Sequence, residues 1–151
     1  MAALVAALAW ACSGCANAGG EAAWIDQTEL VGEWSNPGGA SLHLGADRVV
    51  SGRSLHSAML GGTRCPDAME GHWSFYSPVE GHITYVDAAF TSGDHVNLAV
   101  KGEARPCGLS ALIRRNGQGI NLCLVEDPDS DCSAEELLHR VPSTSPVRTP
   151  N

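Results

Sequence analysis

Three sets of side chains in this sequence could carry chemistry: an acidic loop, six histidines and six cysteines. In the loop, Asp127, Asp129 and Asp131 alternate as the first oxygen ligands of a calcium loop do. The match ends there. Cys132 stands where the sharp-turn glycine belongs, and Leu138 fills the twelfth position, where a bidentate Glu is needed. Pro128 stiffens the segment further, so a solvated hairpin tip is expected. The histidines are His43, His56, His72, His82, His95 and His139, and none has HxH or HExxH spacing. His43, His72 and His82 would meet only if strand register put them on one barrel face. No metal is therefore assigned. No G-x-S-x-G nucleophile motif occurs, and a cysteine nucleophile conflicts with the pairing of the thiols argued below. No catalytic residue and no cofactor is expected, and the chain is read as a non-enzyme.

The fate of the cysteines is set by the N-terminus. Ala2 to Ala11 is an apolar run that ends in the small-residue stretch Cys12-Ser13-Gly14-Cys15. Its length is about half that needed to span a bilayer, and it matches a secretory h-region followed by a cleavage site. Ser13-Gly14-Cys15 resembles the lipobox of bacterial lipoproteins, where small residues before a cysteine let the lipid-modified Cys become residue one. That resemblance implies a signal peptide over 1–14 and lipidation of Cys15. Two features depart from the pattern. Cys12 stands where the lipobox carries Leu, and no Lys or Arg precedes the run, the first basic residue being Arg48. A start further upstream is therefore expected; the alternative is a buried N-terminal helix. The polar, Gly-rich residues that follow read as a tether, taken over 15–28.

If Cys12 leaves with the signal and Cys15 carries lipid, Cys65, Cys107, Cys123 and Cys132 remain. An even set in an exported domain implies two bridges, with three possible connectivities. Cys123 and Cys132 bracket the short acidic turn L-V-E-D-P-D-S-D, which suits hairpin closure. Cys123–Cys132 and Cys65–Cys107 are accordingly favoured. The remaining thiols are too widely spaced for a zinc site.

The elements that would position these groups are short. A chain of 151 residues, 17 % charged and with 17 glycines, leans toward one turn-rich β domain. Leu30–Trp34, Ser41–Leu44 and Arg48–Ser51 read as strands split by Gly/Asn/Asp turns. Ser54–Ala68 reads as a long loop. His72–Tyr76 places Trp73 and Phe75 on one face, and His82–Phe90 reads as the longest β run, with a bulge near Asp87. Val96, Leu98 and Val100 alternate with polar or small residues. Leu109–Arg115 and Ile120–Val125 form a hairpin around Asn116-Gly117. A last strand covers Glu136–Arg140, although Ser133 to Glu136 could instead cap a helical turn. Pro142, Pro146 and Pro150 mark 142–151 as a disordered tail. The fold class is all-β: an antiparallel up-and-down barrel of about eight strands over 29–141, with a β-sandwich as the alternative.

The run from Leu30 to Asp47 (a G-x-W strand, a Gly-rich turn, an L-x-L strand and an A-D turn) resembles the opening of small actinobacterial lipoproteins. Gly71-His72-Trp73, the Asp127–Ser130 turn and a closing Arg140 fit the same group. The resemblance implies an anchored β domain without an assigned activity. Gly32-Glu33-Trp34 is also similar to the first strand of lipocalin and calycin barrels. There, Trp lies at the closed end beneath an Arg from the last strand, which implies a Trp34–Arg140 barrel-closing pair, or Arg115 in Arg140's place. The alternative is that Trp34 is an ordinary core aromatic.

A net charge of -8 and the lack of any basic run argue against nucleic acid as a partner. The partners expected are a lipid bilayer, through the acyl anchor, and an unidentified protein or small molecule. The leading expectation is a lipoprotein carrying a binding or interaction module at the outer face of the cytoplasmic membrane. A small hydrophobic-ligand carrier, or a secreted enzyme or inhibitor, are the alternatives.

Overall fold

A computed structural model describes residues 19–59, 64–76, 86–101, 107–127 and 129–142. The expected signal peptide, Cys15, His82 and most of the expected tail lie outside these residues. Eight strands run up and down in chain order and close into a ring. They are β3 (Gly32–Ser35), β4 (Ser41–Leu44), β5 (Val49–Arg53), β6 (Met69–Phe75), β8 (His95–Val100), β9 (Gly108–Asn116), β10 (Gly119–Val125) and β11 (Leu138–Arg140). Each pairs antiparallel with the next, and β11 returns to β3, so the ring has no open edge. The all-β barrel expected from the sequence is the fold.

Period-two alternation explains the interior. Trp34, Leu42, Leu44, Val50, Trp73, Phe75, Val96, Leu98, Leu109, Ala111, Ile113, Leu122 and Leu138 point inward with no exposed surface. On β9 and β10 the opposite face is buried as well. Leu112, Cys123, Val125 and Leu137 form a second, outer cluster with Cys132, held beneath the segment that follows β10.

Three small elements precede the ring: β1 (Glu21–Ala22), β2 (Ile25–Asp26) and the helix α1 (Gln27–Leu30). β1 pairs with the distal part of β9, and β2 pairs with β7 (Ser92–Gly93). The tether expected over 15–28 is thereby corrected: from Glu21 onward the chain is built into the sheet, with Ala23 and Ile25 buried. Polarity alone suggested a linker, but two-residue strands are held by backbone pairing and need no apolar period. Leu30 is likewise the last residue of α1 rather than the start of a strand. A turn of 3-10 helix, Leu55–Ala58, interrupts the loop expected over 54–68. The run expected as the longest strand is also corrected where it is described. Val86 makes an isolated bridge to Tyr76, and the chain then turns at Asp87, whose carboxylate accepts from the Ala89 N–H at 2.8 Å.

Both favoured disulfides are formed: Cys65–Cys107 and Cys123–Cys132, with Cα atoms 5.1 and 5.7 Å apart. They lie toward the end of the ring opposite α1. Cys65–Cys107 closes a span of 42 residues and Cys123–Cys132 one of 9. Loop-closure entropy then gives about 4 kcal/mol for the first and about 2.6 kcal/mol for the second. Replacing Cys65 and Cys107 together by Ser should lower unfolding free energy by more than the paired Cys123/Cys132 change. Urea unfolding of the two double variants checks the order.

At Gly71, β6 crosses β8 so closely that an added methyl would overlap the Ala99 carbonyl. Gly117, at the β9–β10 turn, has open space around it. Gly71→Ala should therefore cost about 2 kcal/mol or more, and Gly117→Ala under about 0.5 kcal/mol, in the same unfolding assay.

Candidate functional site

Two regions gather polar side chains: the helix-capped end of the barrel, and the outer face of β3 to β6. At the capped end, Arg140 and Trp34 are register partners on β11 and β3. The guanidinium carbon lies 5.7 Å from the centre of the Trp34 ring. Arg140 Nη1 donates to the Glu29 carbonyl, and Nη2 donates to the Val31 carbonyl at 2.6 Å. The Trp34 indole N–H donates to the Leu30 carbonyl at 3.0 Å, and the Val31 N–H to the Gln27 carbonyl at 3.0 Å. A four-residue helix cannot hold itself together, and here its terminal carbonyls are taken up by the barrel. The structure thus brings Trp34 and Arg140 together. Arg115 lies elsewhere, opposite Glu21 of β1.

A second Trp–Arg stack lies at the same end and was not expected from the sequence. The Arg48 guanidinium sits 4.3 Å from the Trp73 ring centre and 5.7 Å from that of Phe75. Arg48 Nη2 donates to Gln27 Oε1 and to the Phe90 carbonyl, both at 2.7 Å. Its Nη1 is buried without a partner among the described residues, and burial pushes the guanidinium below its ordinary pKa. The Trp73 indole donates to the Gly45 carbonyl at 3.0 Å. These contacts tie the β4–β5 turn, β6 and α1 together at the capped end.

The other sites read from the sequence are structural or dispersed. Asp127 accepts from the Asp129 N–H at 3.0 Å, and Asp131 pairs with Arg114 at 3.1 Å, so two of the loop's three aspartates bond locally. His56 donates to the Cys65 carbonyl at 2.9 Å, His95 pairs with Asp94 at 2.9 Å, and His139 bonds Asn121 at 2.6 Å. The His95 hydrogen bond and charge hold the Asp94 carboxyl below its ordinary pKa. Among the described residues no group of three His, Cys, Asp or Glu side chains could hold a metal ion.

The outer face of β3 to β6 is different. Glu33, His43, Ser51 and Glu70 are successive register partners across four strands and form one straight rung. Ser41 and Arg53 pair in a second rung toward the disulfide end. These six side chains line a depression of about 530 Å3. His43 Nδ1 lies 2.7 Å from Glu33 Oε1, with both side chains about half exposed. Among the described residues, the Arg53 and Glu70 side chains have no partner.

The rung has the acid–imidazole–hydroxyl order of a nucleophilic triad. No hydrogen bond joins Ser51 to His43 among the described residues, however, and the N–H groups of β4 and β5 belong to ladders on both sides. Among the described residues the face offers an unpaired guanidinium, an unpaired carboxylate, hydroxyls and a hydrogen-bonded imidazole and carboxylate. That set suits a polar ligand with both acceptor and donor groups.

No family model, curated protein or solved structure matches this chain. The two regions should separate on substitution. Arg53→Ala and Glu70→Ala should leave stability within about 0.5 kcal/mol of the parent. Arg140→Ala, which strips acceptors at the α1 terminus of a charged donor, should cost about 2 kcal/mol. Thermal and urea unfolding of the three variants measures the contrast.

Proposed function

We propose that this chain is an exported lipoprotein, anchored through Cys15 at the outer face of the cytoplasmic membrane, whose barrel is a non-catalytic binding or interaction module. The disulfides carry the reading. Cys65–Cys107 and Cys123–Cys132 use four cysteines pairwise within the barrel, as thiols do in an oxidising compartment. Cys15 is left outside that set, directly after Ser13-Gly14 and the apolar run. The binding face in this reading is the β3–β6 depression, because its free charges are accessible while those at the capped end are spent on the fold.

A carrier of small hydrophobic ligands is the second reading. It is favoured by the closed meander and by the Trp34–Arg140 stack beneath α1. Against it weighs the size of the inward side chains: Trp34, Trp73, Phe75 and the leucines occupy the space a ligand would need.

The anchor is tested by metabolic labelling with an alkyne-bearing palmitate analogue. The chain should take up label, and Cys15→Ala should take up none. A parent chain that stays unlabelled, with the same mass and location as Cys15→Ala, would refute it.

A further inference from the structure

We propose that Trp24, with the sheet edge that carries it, is a membrane-docking face that seats the barrel on the bilayer and turns the β3–β6 depression outward. This rests on the anchored reading above and adds a fixed orientation to it. Trp24 is 54 % exposed between Ala23 and Ile25, both of which are buried, so its indole projects away from the barrel. Trp34 and Trp73 are fully buried. An exposed indole is costly in water and well suited to a lipid headgroup region, where its apolar body and N–H are both satisfied.

The edge is rigidly held on both sides of Trp24. Glu21 and Ala22 pair with Arg115 and Arg114, and the Ala23 N–H donates to the Ile113 carbonyl at 2.9 Å. Beyond Trp24, Ile25 pairs with Gly93, and the Gln27 N–H donates to the Thr91 carbonyl at 2.7 Å. The chain before this edge is short. Gly19 follows Cys15 by four residues, a length of chain that reaches about 14 Å at most. A longer tether would let the domain tumble, whereas this one keeps the β1–β9 edge against any bilayer that holds Cys15.

Charge on this edge is mixed: Arg115 and its register partner Glu21 are both exposed. Around the eight-strand ring, β4 lies four strands from β9 in either direction. A bilayer at the β1–β9 edge therefore leaves the face centred on β4 and β5 on the side away from the membrane.

The test uses the lipidated protein from producing cells, in vesicles of phosphatidylethanolamine and phosphatidylglycerol with and without brominated chains. Because Trp34 and Trp73 are buried, the emission lost in Trp24→Ala belongs to Trp24. That component should be blue-shifted, quenched by brominated lipid and protected from acrylamide. If the protein floats with the vesicles but this component is as open to acrylamide as free N-acetyltryptophanamide, docking is overturned and the anchor stands. If the protein carries no lipid and does not float, both readings fall together.

Discussion

The ring depends on the meeting of β11 with β3. An up-and-down sheet becomes a barrel only if its last strand finds its first, and here the last strand has three residues and two register pairs with β3. So short a ladder is weak by itself. Arg140 reinforces it by spanning the seam: it stacks over Trp34 on the neighbouring strand and donates to two carbonyls near the end of α1. One side chain thus joins the final strand, the first strand and the plug that covers their end. Without it the α1 carbonyls lose a charged donor, and the short β11–β3 ladder must hold the seam alone.

The two ends of the barrel are held by different means. At the capped end, Trp34 and Trp73 send indole N–H bonds to the Leu30 and Gly45 carbonyls, and an arginine covers each ring. Among the described residues no disulfide lies there. At the other end two disulfides tie down the β5–β6, β8–β9 and β10–β11 connections. Asn36 adds to this, donating to the Ser57 and Glu135 carbonyls while its own carbonyl accepts from the Ala40 N–H.

What the sequence made legible was whatever recurs locally. Alternation at Val96 and Leu98 and at Trp73 and Phe75, together with Asn116-Gly117 between two apolar runs, marks β8, β6 and the β9–β10 hairpin and hence the barrel. The acidic nine-residue span suggested one disulfide, and parity then supplied the other. The elements that were missed contain no period to read: β1 and β2 have two residues each, and α1 is a single turn. The Arg48–Trp73 stack escaped because its partners lie 25 positions apart and meet only through the β5–β6 register. The Glu33–His43–Ser51–Glu70 rung was hidden for the same reason. Its members are scattered over four strands, and a slip of one residue in any ladder would disperse it.

The inward side chains are fully buried, and parts of the barrel's outer face are covered as well. The outer face of β9 and β10 is covered by the segment that carries Cys132 and Leu137. The distal edge of β9 is taken by the N-terminal strand, and the capped end by α1 and its arginines. The β3–β6 face is left uncovered by these elements, and among the described residues its Arg53 and Glu70 side chains stand without partners. A sheet stabilises itself by pairing side chains across strands, so Arg53 and Glu70, left unpaired on neighbouring strands, contribute little to folding. Their chemistry remains available to a molecule that can satisfy both charges at once.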